Sequence, residues 1–208
     1  MKLMQKLVNE PFARGASRFM KVICYLVMAF ILLSLVLCFM GRQTFTLHTS
    51  TGTYENAIYA EENHEPASRS LTIYLKDDIH VWANSSGQVD FSTHIGLSLM
   101  VAVSVIPLLF AYWFLSRVFA NVQKGEIFTE KNAACLFYYG VLQFFTALLA
   151  PFVKQLICGL TNLISDSRIS LATGQDMFSG LIPSIAFLVA AYIVHYGIHL
   201  QDEVDHTL

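Results

Sequence analysis

Four uncharged apolar runs, each long enough to cross a bilayer, constrain this chain more than any other feature of its sequence. They cover residues 22–40, 95–115, 133–153 and 177–200, with His195 and His199 near the end of the last. A helix needs about 20 residues to cross about 30 Å of hydrocarbon. Backbone groups in lipid must pair within their own segment, so helix is the expected state of each run. Hydrophobic residues make up 55% of the 208 residues and charged residues only 13%. Soluble domains carry roughly 25% charged residues, and a soluble fold would leave much of this apolar surface facing water. The expected fold class is an all-α membrane protein, with four transmembrane helices and a small β-containing extracytoplasmic loop. Phe39-Met40-Gly41-Arg42-Gln43 offers no small-x-small cleavage site after the first run, which reads as an uncleaved anchor.

Orientation follows from Lys and Arg in the flanks. Residues 1–21 hold Lys2, Lys6, Arg14, Arg18 and Lys21, and residues 116–132 hold Arg117, Lys124 and Lys131. The alternate compartment, residues 41–94 and 154–176, holds five basic residues against these eight, and its first loop is long and acidic. Both termini, including the tail 201–208, are therefore expected in the cytoplasm, with the loop 41–94 outside. Leu3, Met4, Leu7 and Val8 beside Lys2 and Lys6 fit either an amphipathic surface helix or a plain basic flank.

The loop 41–94 reads as folded. Leu71-Thr-Ile73-Tyr-Leu75-Lys and Ile79-His-Val81 alternate at period two, and Thr44-Phe-Thr-Leu-His is similar. Asn84-Ser-Ser-Gly87 reads as a turn before a further strand-like patch, Val89-Asp-Phe91. Asn84-Ser85-Ser86 also fits a glycosylation acceptor, a triplet common by chance.

Between the second and third runs, Leu115, Val118, Phe119 and Val122 keep helical spacing, so the second helix is expected to outrun the membrane. Lys124-Gly125 gives a stop, glycine being free to adopt positive φ. Thr129 suits an N-cap and Glu130 complements the helix dipole. Asn132 departs from the Glu or Gln of a capping box.

Gly125, Phe128, Thr129, Asn132, Leu136 and Gly140, together with the closing Gly197-Ile-His-Leu200-Gln201-Asp-Glu203-Val-Asp205-His-Thr207-Leu208, resemble a bacterial membrane family of unknown function, DUF2975. The family's patterns are G-x-x-F-T/S-x-x-N-x-x-x-L-x-x-x-G and G-x-x-L-q-x-E-x-D-x-T-V, and Leu208 stands where Val is commoner. The resemblance implies four spans with a long first loop and no established activity. Members are often encoded beside a small helix-turn-helix regulator, which implies a membrane protein that binds or restrains a DNA-binding protein. The junction residues above, with Gln201, Glu203 and Asp205 of the acidic tail, are then candidates for one cytoplasmic docking surface. The same residues also read simply as junction geometry and a solvated end.

Little else suggests chemistry. The middles of the runs carry no Asp, Glu, Lys, Arg or His, which argues against a pump. Gln143, near the centre of the third run, is expected to hydrogen-bond between helices. Pro107, Pro151 and Pro183 are expected to shape helices rather than gate, and Ala186-x-x-x-Ala190 permits close approach. Cys24, Cys38, Cys135 and Cys158 form no CxxC pair and read as small apolar residues. His195 and His199 lie one turn apart, as zinc ligands can, but no HExxH motif is present and a polar helix end is the better reading. No catalytic residue, metal or cofactor is expected. Besides the bilayer, the expected partner is a cytoplasmic DNA-binding regulator. Accessory subunits of a membrane complex, a homo-oligomer, or a small transporter are alternatives.

Overall fold

The computed structural model describes residues 10–60, 71–73, 78–172 and 180–207, with the backbone alone at 10, 11, 13 and 200–207. The expected amphipathic stretch at residues 1–9 lies outside these. The elements run α1 (Glu10–Phe39), β1 (Thr44–Thr49), β2 (Gly52–Ile58), β3 (Asp78–Trp82), α2 (Phe91–Gln123), α3 (Glu130–Leu148), α4 (Ala150–Ile164), β4 (Arg168–Ala172) and α5 (Leu181–Thr207).

Among the described residues, three stretches are long and apolar enough to cross a membrane: Arg14–Phe39, Phe91–Gln123 and Leu181–His199. α3 and α4 qualify only together, as one path bent by 46°. The chain is a mostly helical, multi-pass membrane protein with a small sheet.

Two helices end in the same way. At the end of α1, Arg42 N–H donates to Leu37 O at 3.0 Å and Gly41 N–H to Cys38 O at 2.9 Å. At the end of α2, Glu126 N–H donates to Asn121 O at 3.1 Å and Gly125 N–H to Val122 O at 3.0 Å. These are paired Schellman bonds around a left-handed residue, supplied by Gly41 at φ 74° and Gly125 at φ 86°. The stop expected at Lys124-Gly125 is present.

The third apolar run is not one straight helix. Pro151 sits in the first turn of α4, where it brings no N–H to the preceding turn, and the path bends there. Residues 154–164, expected to be loop, are helical. Leu156, Leu160, Leu163 and Ile164 carry the apolar pattern onward past Lys154. Pro107 lies within the unbroken α2, and Pro183 lies in the first turn of α5, where its missing donor matters least. Ala186 is exposed, and Gln143 donates to Tyr139 Oη at 3.2 Å on its own helix, not to another.

By internal contacts the chain forms two compact units. One comprises Ile31–Ile106 and Thr146–Phe178, the other Met1–Phe30, Pro107–Phe145 and Ser179–Leu208. The first contains the sheet, ordered β2-β1-β3-β4. β1 pairs antiparallel with β2 and parallel with β3, and β3 pairs antiparallel with β4. Alternation sends Leu47, Ile79, Val81, Ile169 and Leu171 to one face, where they pack with Leu97, Met100 and Cys158. The expected strands at residues 44–48 and 79–81 are present. Ile73 forms only an isolated bridge to Gln43, and residues 74–76 of that expected strand lie outside the described residues. Val89-Asp-Phe91 is not a strand, because Phe91 opens α2. β4, from the second loop, was not foreseen.

Asp90 latches this unit. Its carboxylate accepts from Ser165 Oγ at 2.8 Å, Ser167 N at 2.9 Å and Asn84 Nδ2 at 2.8 Å. The hydrogen bond from Ser165, with those from Ser167 and Asn84, holds the carboxyl below its ordinary range against a partial opposing effect of burial. Asn84 Oδ1 in turn accepts from Ser86 N and Gln88 N at 3.1 and 3.0 Å, closing the expected turn. The Asn84 amide is therefore engaged at both ends.

In the second unit Cys24, Ala111, Leu115 and Tyr139 form a buried cluster, with Leu136 and Phe187 packed against it.

Candidate functional site

The junction between α2 and α3 is built around one side chain. Asn132 is 1% exposed. Its Nδ2 donates to Glu126 O at 2.6 Å and Ile127 O at 2.9 Å, and its Oδ1 accepts from Asn121 Nδ2 at 2.8 Å. An amide carries two donors and an acceptor, and here all are used. Asn132 thus pins the loop to the last turn of α2, work a capping-box Glu would not do. Thr129 accepts from Asn132 N at its Oγ1, 3.3 Å away, as the expected N-cap.

Gly140 marks close packing. A Cβ there would stand 2.9 Å from the Leu188 side chain and 3.1 Å from its backbone nitrogen. Leu136 is drawn into the buried cluster. Of the candidate residues, Asn132 and Gly140 are buried, Leu136 and Thr129 half-buried, and Gly125 and Phe128 exposed.

The two stretches that carried the resemblance meet. A Cβ on Gly197 would lie 3.2 Å from the Phe128 ring, so α5 passes directly against the loop tip. Beside them, His195 Nδ1 lies 3.2 and 3.3 Å from the two carboxylate oxygens of Glu130. His195 Nε2 lies 3.3 Å from His199 Nε2. The sequence gives the histidine pair by its spacing, but nothing in it brings Glu130 to that pair, because the contact spans 65 positions. Gln201, Glu203 and Asp205 belong to α5, which stays helical to Thr207; their side chains lie outside the described residues. Ile127 and Phe128, 47% and 53% exposed, form an apolar tip above the pinned loop.

A second polar cluster lies on the sheet and was not anticipated. His80 Nε2 is 3.2 Å from Asp78 Oδ2, His80 Nδ1 is 3.0 Å from His48 Nε2, and His48 Nδ1 is 3.1 Å from Thr53 Oγ1. One set of neutral tautomers satisfies the whole chain, with Thr53 donating to His48, His48 to His80 and His80 to Asp78. His48 also stacks on Trp82. Every ring nitrogen is thereby used within the sheet.

Compared with known proteins, the chain matches the model of one family, described as a protein of unknown function (DUF2975), over residues 54–208. No curated protein and no solved structure matches it.

Proposed function

The chain belongs to the DUF2975 family, and we propose that it is a regulatory or sensory protein of the bacterial inner membrane that docks a cytoplasmic partner. A small helix-turn-helix regulator is the expected kind of partner, and no catalytic step is assigned. The observation that carries this reading is the junction itself. Asn132 holds the 124–128 tip in one conformation, and that tip presents Ile127 and Phe128 to solvent. A fixed apolar tip is already organised for binding, so little ordering entropy is lost on contact. The acidic residues Asp202, Glu203 and Asp205 follow on α5 and offer complementary charge to a basic protein.

In this reading α3 and α4 together make a fourth span. Support comes from β3 and β4, which pair directly and therefore lie on one side of the bilayer. α2 leaves that side, so the path from α2 to β4 must return, and the bent pair is the only described apolar segment between them. The excess of basic residues in the 1–21 and 116–132 flanks supports a reading in which the sheet lies outside and the junction in the cytoplasm.

The test is capture in mild detergent from cells that naturally make the protein, followed by mass spectrometry. Wild type is expected to enrich a small DNA-binding protein. The double variant Ile127→Ser/Phe128→Ser and a 201–208 deletion are expected to insert normally and lose at least about tenfold of that enrichment, the scale of one lost interfacial contact of about 1.4 kcal/mol. Capture of membrane subunits alone would favour an accessory-subunit role. Equal capture of the regulator by both variants would remove the docking surface.

A further inference from the structure

We propose that His195 and His199, supported by Glu130, bind a divalent transition-metal ion of the zinc, cobalt or nickel type. The two histidines stand one helical turn apart on α5 and so share a face. Their Nε2 atoms are 3.3 Å apart. Two nitrogens at about 2.0–2.1 Å from a tetrahedral zinc ion would be separated by about 3.3 Å. The pair is therefore already spaced as one edge of such a site.

Glu130 supplies the third element. It stands in the first turn of α3 and offers both oxygens to His195 Nδ1. A carboxylate can only accept, so the proton sits on Nδ1 and the Nε2 lone pair is directed toward His199. A carboxylate that fixes the tautomer of a ligating histidine is a recurrent support of metal sites. With no metal present, His199 Nε2–H donates into that lone pair. With a metal, His199 turns to its other tautomer and both lone pairs converge on the ion. Neutral imidazoles suit borderline ions and not calcium or magnesium, which take oxygen ligands. One ligand-capable atom from each of the three residues lies within 4.8 Å of the others, and none of the three side chains is buried by the rest of the protein. Exposed side chains that served only to solvate a helix end would have no need to converge in this way. This assignment stands independently of any docking partner.

The test uses the full chain in detergent micelles, purified with a histidine-free tag and titrated with Co²⁺ alone. The visible d–d absorption reports coordination. Wild type is expected to bind one equivalent, and Zn²⁺ to displace it and raise the melting temperature. His195→Ala and His199→Ala are expected to abolish saturable binding while keeping wild-type helicity, and His48→Ala to leave it unchanged. Glu130→Gln is expected to weaken binding about 10- to 100-fold. His199→Cys provides a second route should an alanine variant misfold: it is expected to bind Co²⁺ and add a thiolate charge-transfer band absent from wild type. The proposal is overturned if wild type binds no Co²⁺ saturably, if the folded His195→Ala/His199→Ala variant binds as wild type does, or if His199→Cys binds without that band.

Discussion

Asp90 and Asn132 show how single polar side chains fix the irregular parts of this chain. Asp90 joins residues 77 positions apart through Ser167, and the carboxylate form alone can accept all its bonds. Because its folded pKa lies below the unfolded value, it contributes stability above about pH 4, the ordinary carboxylate value. That contribution is lost as pH falls through the lower folded value. Asp90→Asn is therefore expected to lower the melting temperature at pH 7 and to differ less from wild type at pH 3, below the ordinary carboxylate value. Equal differences at both pH values would show that the charge is not what matters. Thr129 as a cap was legible, because a cap is a local contact. The task of Asn132 was not, because its partner Asn121 lies on the preceding helix and no local rule names it.

At the scale of elements, sequence pattern located the long described helices by the length of their uncharged apolar runs and the strands at residues 44–48 and 79–81 by alternation, since one face of each strand is buried. It failed where tertiary contact overrides pattern. β4 is a five-residue strand that reads as a loop until β3 offers it an edge. Phe91 continues an apparent alternation, yet Asp90 accepts from His94 N and starts a helix there. The end of the third run was misplaced because Lys154 looks like a membrane boundary, although the helix carries on beyond it. Gly140 was legible only as part of a resembling pattern, and its reason is the Leu188 backbone facing it. Gly140→Ala is expected to cost about 1–3 kcal/mol, as overpacking does, and Gly140→Leu more. Thermal unfolding in detergent checks this, and an unchanged midpoint for both variants would mean that the helices part without cost.

For the whole molecule, the decisive measurement is the side on which each loop lies. Alkaline phosphatase fused after Gly87 or Ser167 is expected to be active, and after Gly125 inactive. Activity after Gly87 but not after Ser167 would mean that α3 and α4 do not cross together. The sheet was only partly legible, because two loops separated by α2, α3 and α4 build it jointly. That arrangement has a consequence for biosynthesis. β3 leaves the ribosome well before β4, and at about 5–20 residues per second the delay is on the order of 4–17 s. Throughout that interval the backbone edge bearing Ile79 and Val81 has no neighbour, so a nascent chain stalled before residue 168 would carry an adhesive strand that the finished protein conceals.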